Sequence, residues 1–360
     1  MDRRPWYLLL GFLIAVGGAE LVLRGFPVST GYDLGPVDAA HPIAHGEPGF
    51  RYTYSKDWNF RLQNSGRLNN YGFRASYDYR PEPRSVTLVG NSFVQADALD
   101  PRDTIQERVA RQLHRPVFGL GVDGFSLADY LEASRWASAT FDSHIILVLL
   151  TTGDLDHSCS RRSGQHYLRF DDGRISVSLI DRETPSRLKR WLNRSRLFRY
   201  LFDNLRATAN WAKGWKRDRD GDDIPAGPAP GGPAPGGTAP GGCSDARFES
   251  AATQFLLSGF HDIETRRQAR VVFLLAPGYR REQSFEPGQI RDVDRFAESA
   301  ASEGFEVVSL QPAFAAALAA GTRLDFLPID GHWNSSAHAI AAGVAADALA
   351  SGPISGARCR

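Results

Sequence analysis

Val86-Thr87-Leu88-Val89-Gly90-Asn91-Ser92-Phe93 is an apolar run that stops on Gly-Asn-Ser. A short aliphatic stretch bounded by turn residues predicts a strand, and its unbroken apolarity predicts one buried on both faces. His144–Leu150 and Arg270–Leu275 repeat the pattern, and Pro116–Leu120 and Glu306–Leu310 are shorter versions of it. Helical signals fall between them. Thr104-Ile105-Gln106-Glu107 reads as a capping box opening a helix through Leu113. Ser126 reads as the cap of a helix carrying Leu127, Tyr130, Leu131 and Trp136. Ile340, Ala341, Val344, Ala345, Ala348 and Leu349 lie at helical spacing near the end. Strands alternating with helices predict a parallel sheet covered on both faces, a three-layer α/β/α domain of flavodoxin-like type.

The bulk numbers suit such a domain. The chain has 360 residues, of which 42% are hydrophobic and 23% charged. A net charge of +1 leaves no global electrostatic footprint for nucleic acid. The segment Trp6–Leu23, preceded by Arg3 and Arg4, sits near the lower length limit of a membrane span. Residues 1–24 are therefore expected to be an uncleaved single-pass anchor. A cleaved signal peptide, with Gly17 and Ala19 before the cut, is the competing reading. Either way the flanking arginines place the remainder outside the cytoplasm. Cys159, Cys243 and Cys359 form an odd set, so an exported chain could pair two of them.

Residues 25–84 read as an irregular lead-in, and 85–352 as the α/β domain. Inside it, about 156–222 reads as an inserted helical segment. Its stretch Leu188–Trp215 interleaves leucines and aromatics with arginines. A helix packing its apolar side on the core explains this better than one lying on a membrane or an acidic glycan. Residues 224–243 contain Pro/Gly repeats over Ala226–Gly242, expected to be a surface loop.

The chemistry concentrates at strand ends. Ser92 follows the first strand, at the carboxyl edge where open α/β sheets bind ligands. Far along the chain stands Asp330-Gly331-His332-Trp333-Asn334. A carboxylate beside a histidine can orient the ring as base for a serine. Gly119-Leu120-Gly121-Val122-Asp123-Gly124 matches a dinucleotide-loop pattern, but it follows the second strand and no acid lies at the required distance. Thr151-Thr152-Gly153-Asp154-Leu155-Asp156-His157 follows the buried third strand. Its acids and histidine are too few for a metal centre. No metal or cofactor is expected.

These blocks and their order resemble the SGNH (GDSL-like) hydrolase and acyltransferase superfamily. Asn70-Tyr71-Gly72-Phe73-Arg74 and the short Asp-x-His resemble membrane-anchored bacterial members similar to alginate-type O-acetyltransferases. The resemblance implies Ser92 as nucleophile, His332 as base and Asp330 as its orienting acid. It implies an oxyanion hole from the N–H groups of Ser92 and Gly124. The third donor, normally an asparagine, is replaced by Gly153, which predicts slow catalysis. Asn91, Asp154, Trp333 and Asn334 are implied as substrate-side residues. The implied activity is hydrolysis of O-acyl, foremost O-acetyl, groups of a cell-envelope or extracellular carbohydrate. Alternatives are transfer of the acyl group to a polysaccharide, or a catalytically weak glycan-binding module. The implied location is the bacterial inner membrane, with the catalytic domain periplasmic.

A C-terminal reporter that matures only outside the cytoplasm is expected to be active, and a cytoplasm-only reporter silent. The opposite pattern would reverse the topology.

Overall fold

The computed structural model describes residues 4–32, 34–83, 85–171, 174–182, 186–205, 246–277 and 292–351. In chain order its elements are α1 (Arg4–Leu23), β1 (Arg51–Lys56), β2 (Leu62–Arg67), β3 (Val86–Gly90), α2 (Ser92–Gln95), α3 (Ile105–Leu113), β4 (Val117–Gly121), α4 (Leu127–Thr140), β5 (Ile145–Leu150) and α5 (Asp154–Ser158). They continue as β6 (His166–Asp171), β7 (Arg174–Leu179), α6 (Arg187–Leu192), α7 (Arg196–Arg199), α8 (Ala246–Arg267), β8 (Arg270–Leu275), α9 (Asp292–Ser302), β9 (Glu306–Ser309), α10 (Gln311–Ala319), β10 (Asp325–Phe326), β11 (Asp330–Trp333) and α11 (Ser335–Ala350).

The chain divides into two compact units. The larger is built on a five-stranded parallel sheet of order β4-β3-β5-β8-β9. This is the doubly wound order in which the chain reverses direction beside its first strand, and ligands bind at the carboxyl edge of that switch point. Successive strand residues point to opposite faces, and each face has its own core. Val86, Leu88, Leu147, Leu149, Val272 and Leu274 pack with α3, α10 and α11 through Ile105, Val109, Phe314 and Ala341. Val89, Leu120, Ile146, Val148, Val271 and Phe273 pack with α4, α8 and α9 through Leu131, Phe260 and Phe296. The three-layer α/β/α architecture expected from the strand runs is the one observed.

Two tyrosines close the β4 edge. Tyr79 donates its hydroxyl to the Gly119 carbonyl (3.1 Å) and accepts from the Gly119 N–H (2.8 Å). Tyr77 does the same for Val117, at 2.8 and 3.3 Å. An edge strand whose polar groups are occupied cannot template further pairing. Tyr79 is buried, which pushes its phenol well above the ordinary value and keeps it a donor.

Three local expectations change. The Thr104–Glu107 capping box does not form: Thr104 Oγ1 donates to the Pro101 carbonyl, and the Glu107 carboxylate accepts from the Ser76 N–H (2.7 Å) and hydroxyl (2.9 Å). The segment read as a helical insertion begins with an antiparallel hairpin, β6–β7. Leu168, Phe170, Ile175 and Val177 alternate along it and pack on the core, a period-2 pattern masked by the arginine-rich sequence that follows. The lead-in contains the paired strands β1 and β2. The Pro/Gly tract Ala226–Gly242 lies outside the described residues.

The smaller unit contains α1, β1, most of β2, α6 and α7. At about 30 Å, α1 is long and apolar enough to cross a membrane, and none of that stretch is buried. Glu20, the charge that interrupts it, accepts from the Ser195 hydroxyl (2.9 Å) and the Leu197 N–H (3.0 Å) at the start of α7. Asn204 joins this unit together, accepting from the Ser29 N–H (3.1 Å) and donating to Ser55 Oγ (2.9 Å).

The glycines of the dinucleotide-like loop have steric reasons of their own. A Cβ on Gly119 would meet the Gln106 side chain at 2.8 Å, and one on Gly121 would meet the Gln95 backbone nitrogen at 2.3 Å. β4 and α2 therefore approach at backbone distance. Gly121→Ala is expected to lower stability by about 1–3 kcal/mol, the usual cost of overpacking. Denaturant unfolding measures it, and an unchanged midpoint would show that α2 is free to move aside.

Candidate active site

β3 ends at Gly90, and Ser92 opens the four-residue helix α2. Asn91 caps that helix, its Oδ1 accepting from the Phe93 N–H at 3.1 Å. At the other end Arg74, whose side chain is 2% exposed, donates to the carbonyls of Gln95 (2.6 Å), Ala96 and Leu99 (2.5 Å). This buried guanidinium satisfies the last carbonyls of a helix too short to be stable alone.

Asp330 and His332 lie on β11, paired antiparallel with β10. An extended backbone puts residues i and i+2 on one side, which makes the Asp-x-His spacing work. The Asp330 carboxylate accepts from the His332 N–H at 3.0 Å and contacts Nδ1 at 2.5 Å. Nε2 on the far side of the ring stands 2.9 Å from Ser92 Oγ. Asp330 is buried, while the His332 side chain is 37% exposed. Phe93 packs on the imidazole with ring centroids 5.2 Å apart. Burial opposes protonation of His332, but the hydrogen bond and charge of Asp330, aided by Asp123 and Asp97, outweigh it and raise the pKa above the ordinary histidine value.

The other expected residues separate. Gly124, with φ of 82°, lies on the loop after β4. That loop is tied to α2 by the Asp123 N–H donating to Gln95 Oε1 at 2.5 Å. The backbone N–H groups of Ser92 and Gly124 have no acceptor among the described residues. Gly153 is not such a donor: its N–H is taken by Asp292 Oδ1 at 2.9 Å. The same carboxylate accepts from the Leu155 (3.0 Å) and Asp156 (3.3 Å) N–H groups, a clamp that the sequence reading missed.

Asn91, Asp154, Trp333 and Asn334, expected on the substrate side, all have partners within the protein. Asn91 Nδ2 donates to Thr151 Oγ1 (2.6 Å) and Asp154 Oδ1 (3.1 Å). Asp154 also accepts from the Thr151 N–H (2.6 Å) and the Tyr130 hydroxyl (3.1 Å). Burial pushes its carboxyl up to about 8, against the stabilising donors. Trp333 is packed between Phe93 and Phe314, 4.9 Å from each. Asn334 caps α11 through the Ser336 and Ala337 N–H groups and donates to the Arg323 and Asp325 carbonyls. The polar side chains of Asn91, Asp154 and Asn334 are thus engaged locally, as polar groups withdrawn from water must be. His338 is buried and lowered to about 3, and its Nδ1 accepts from the Ile105 N–H at 3.1 Å.

No family model and no curated protein matches the chain. Among solved structures it is similar to a carbohydrate esterase family 2 enzyme with a carbohydrate-binding domain from Corynascus thermopiles (Myceliophthora fergusii), at 11% identity over 80% of this chain and 70% of that one, TM-score 0.39. It is similar to a member of the lipolytic G-D-S-L family from Veillonella parvula, at 10% identity over 74% and 98%, TM-score 0.39. An acetyl xylan esterase from Butyrivibrio proteoclasticus gives 10% identity over 80% and 66%, TM-score 0.33. Superposition at this level is loose, and the functional reading stands on Ser92, His332 and Asp330 themselves.

A general base must be neutral to accept a proton, so a raised His332 pKa moves the acidic limb of any ester turnover above the ordinary histidine value of about 6.5. Activity rises with pH through that limb. Asp330→Asn removes the charge that sustains the shift. Its limb is expected at lower pH, with kcat reduced by up to about 10⁴-fold. A kcat/KM profile that does not move would detach Asp330 from the ring.

Proposed function

We propose that this chain is a serine-dependent esterase that removes O-acyl groups, acetyl foremost, from a cell-envelope or extracellular carbohydrate. The observation that carries the reading is the continuous contact from Asp330 through His332 to Ser92, at 2.5 and 2.9 Å. Ser92 Oγ attacks the ester carbonyl as His332 Nε2 takes its proton, and Asp330 stabilises the imidazolium. The N–H groups of Ser92 and Gly124 receive the developing oxyanion. Collapse expels the sugar oxygen, which takes the proton from His332. Water then repeats the sequence on the acyl-serine, releasing the acid. A sugar hydroxyl in place of water would make the same site a transferase.

Two observations support a place outside the cytosol, held by an anchor. Cys159 is disulfide-bonded, a state suited to an oxidising compartment. The apolar stretch Pro5–Leu23 of α1 has no buried residue.

Full-length protein is expected to react with a fluorophosphonate at Ser92, and Ser92→Ala to lose both labelling and acetate release from an O-acetylated polysaccharide. Acetate release that survives Ser92→Ala in a folded protein would remove the mechanism.

A further inference from the structure

We propose that the imidazole of His157 is the third oxyanion donor, standing where the side chain that Gly153 lacks would project; this rests on Ser92 being the nucleophile. The argument begins with the sheet. β5 lies directly beside β3, pairing Val89 with Val148, so the Ser92 turn and the Thr151–Gly153 turn leave adjacent strands at the same carboxyl edge. The Asn91–Thr151 hydrogen bond of 2.6 Å holds the two turns together. A donor at Gly153 would thus flank Ser92 on one side, as Gly124, on the loop after β4, flanks it on the other.

Gly153 supplies no donor: it has no side chain, and Asp292 occupies its N–H. His157 is four residues on in α5, with its N–H bonded to the Gly153 carbonyl at 2.8 Å. Helical side chains tilt toward the N-terminus over the residue four before. The ring accordingly reaches the space above Gly153: a Cβ there would lie 3.3 Å from His157 Cε1, 3.5 Å from Nε2 and 3.6 Å from Nδ1. Neither ring nitrogen has a hydrogen-bond partner among the described residues. A half-buried imidazole with both nitrogens unused is available to a ligand atom. Burial first, and the Arg162 cation second, lower its pKa, so at neutral pH it is an uncharged ring with one N–H to give.

One nearby charge has the sign that this role needs. Arg162 Nη1 donates to the Gly124 carbonyl at 3.4 Å, and no carboxylate pairs with it among the described residues. The Arg162 guanidinium, beside Gly124 and acting on His157 as well, favours negative charge developing between the two turns that bracket Ser92, against the Asp292 carboxylate, whose two oxygens are engaged by backbone N–H groups. The geometry also explains why an asparagine cannot simply be restored. Gly153 has φ of 90°, which strains any side chain, and the His157 ring already fills the space.

The test uses full-length protein with p-nitrophenyl acetate and the fluorophosphonate, whose phosphoryl oxygen occupies an oxyanion hole. His157→Ala is expected to lower kcat by about 10²–10³-fold, to leave KM within a few-fold, and to slow Ser92 labelling in parallel. His157→Gln, which keeps an N–H donor, should retain more activity than His157→Phe, which keeps only the bulk. That comparison decides the matter if the alanine variant does not fold. Parental kcat in His157→Ala, or equal activity of the Gln and Phe variants, overturns the role of His157 while leaving Ser92 intact. A parent protein that neither turns over ester nor labels at Ser92 overturns the esterase reading and this inference together.

Discussion

The buried carboxylate of Asp154 is the interaction on which the site's geometry depends. It gathers the Thr151 N–H, the Thr151 and Tyr130 hydroxyls and the Asn91 amide into one cluster. Those donors come from the end of β5, from α4 and from the turn after β3. Breaking such a cluster would leave several buried polar groups unsatisfied, each costing about 1–3 kcal/mol. The turn that presents Ser92 is therefore held by polar contacts that cannot relax independently. Asp292 makes a second clamp of the same kind on the backbone of α5.

Around that cluster the site is assembled from parts that have little stability alone. α2 is four residues long and depends on Asn91 at one end and Arg74 at the other. The β10–β11 pair is equally short, and it is supported where Trp333 enters the core between Phe314 and Phe93. Phe93 thus links the two motifs, following Ser92 in sequence and packing on His332 in space. Short elements braced by a rigid sheet suit a site whose hydrogen-bond distances must be held closely.

Several polar residues of the site motifs are held by partners within the protein for one physical reason. Asn91, Asp154 and Asn334 sit in the right motifs, but each lies where backbone or buried groups need a partner. Satisfying them uses the side chain fully. His157, in the same block, has ring nitrogens with no hydrogen-bond partner among the described residues. A side chain whose polar atoms all have partners holds the scaffold, whereas one with unengaged atoms can still take a partner.

The sequence made the sheet and its helices legible, because continuous apolar runs and helical spacing report burial on two faces locally. It also marked Ser92, Asp330 and His332, since a strand end and an i, i+2 pair are local features. Its boundaries were displaced by about a residue, and it missed β10, β11 and the β6–β7 hairpin, whose pairing partners are not visible in their own residues. That Nε2 of His332 faces Ser92 across 240 positions emerges only in the folded chain. The same holds for Asp292 taking the Gly153 N–H, and for Gly119 and Gly121 answering to close packing against Gln106 and α2. Those outcomes depend on which distant groups arrive at the carboxyl edge of the sheet, and side-chain satisfaction there is settled by neighbours in space rather than along the chain.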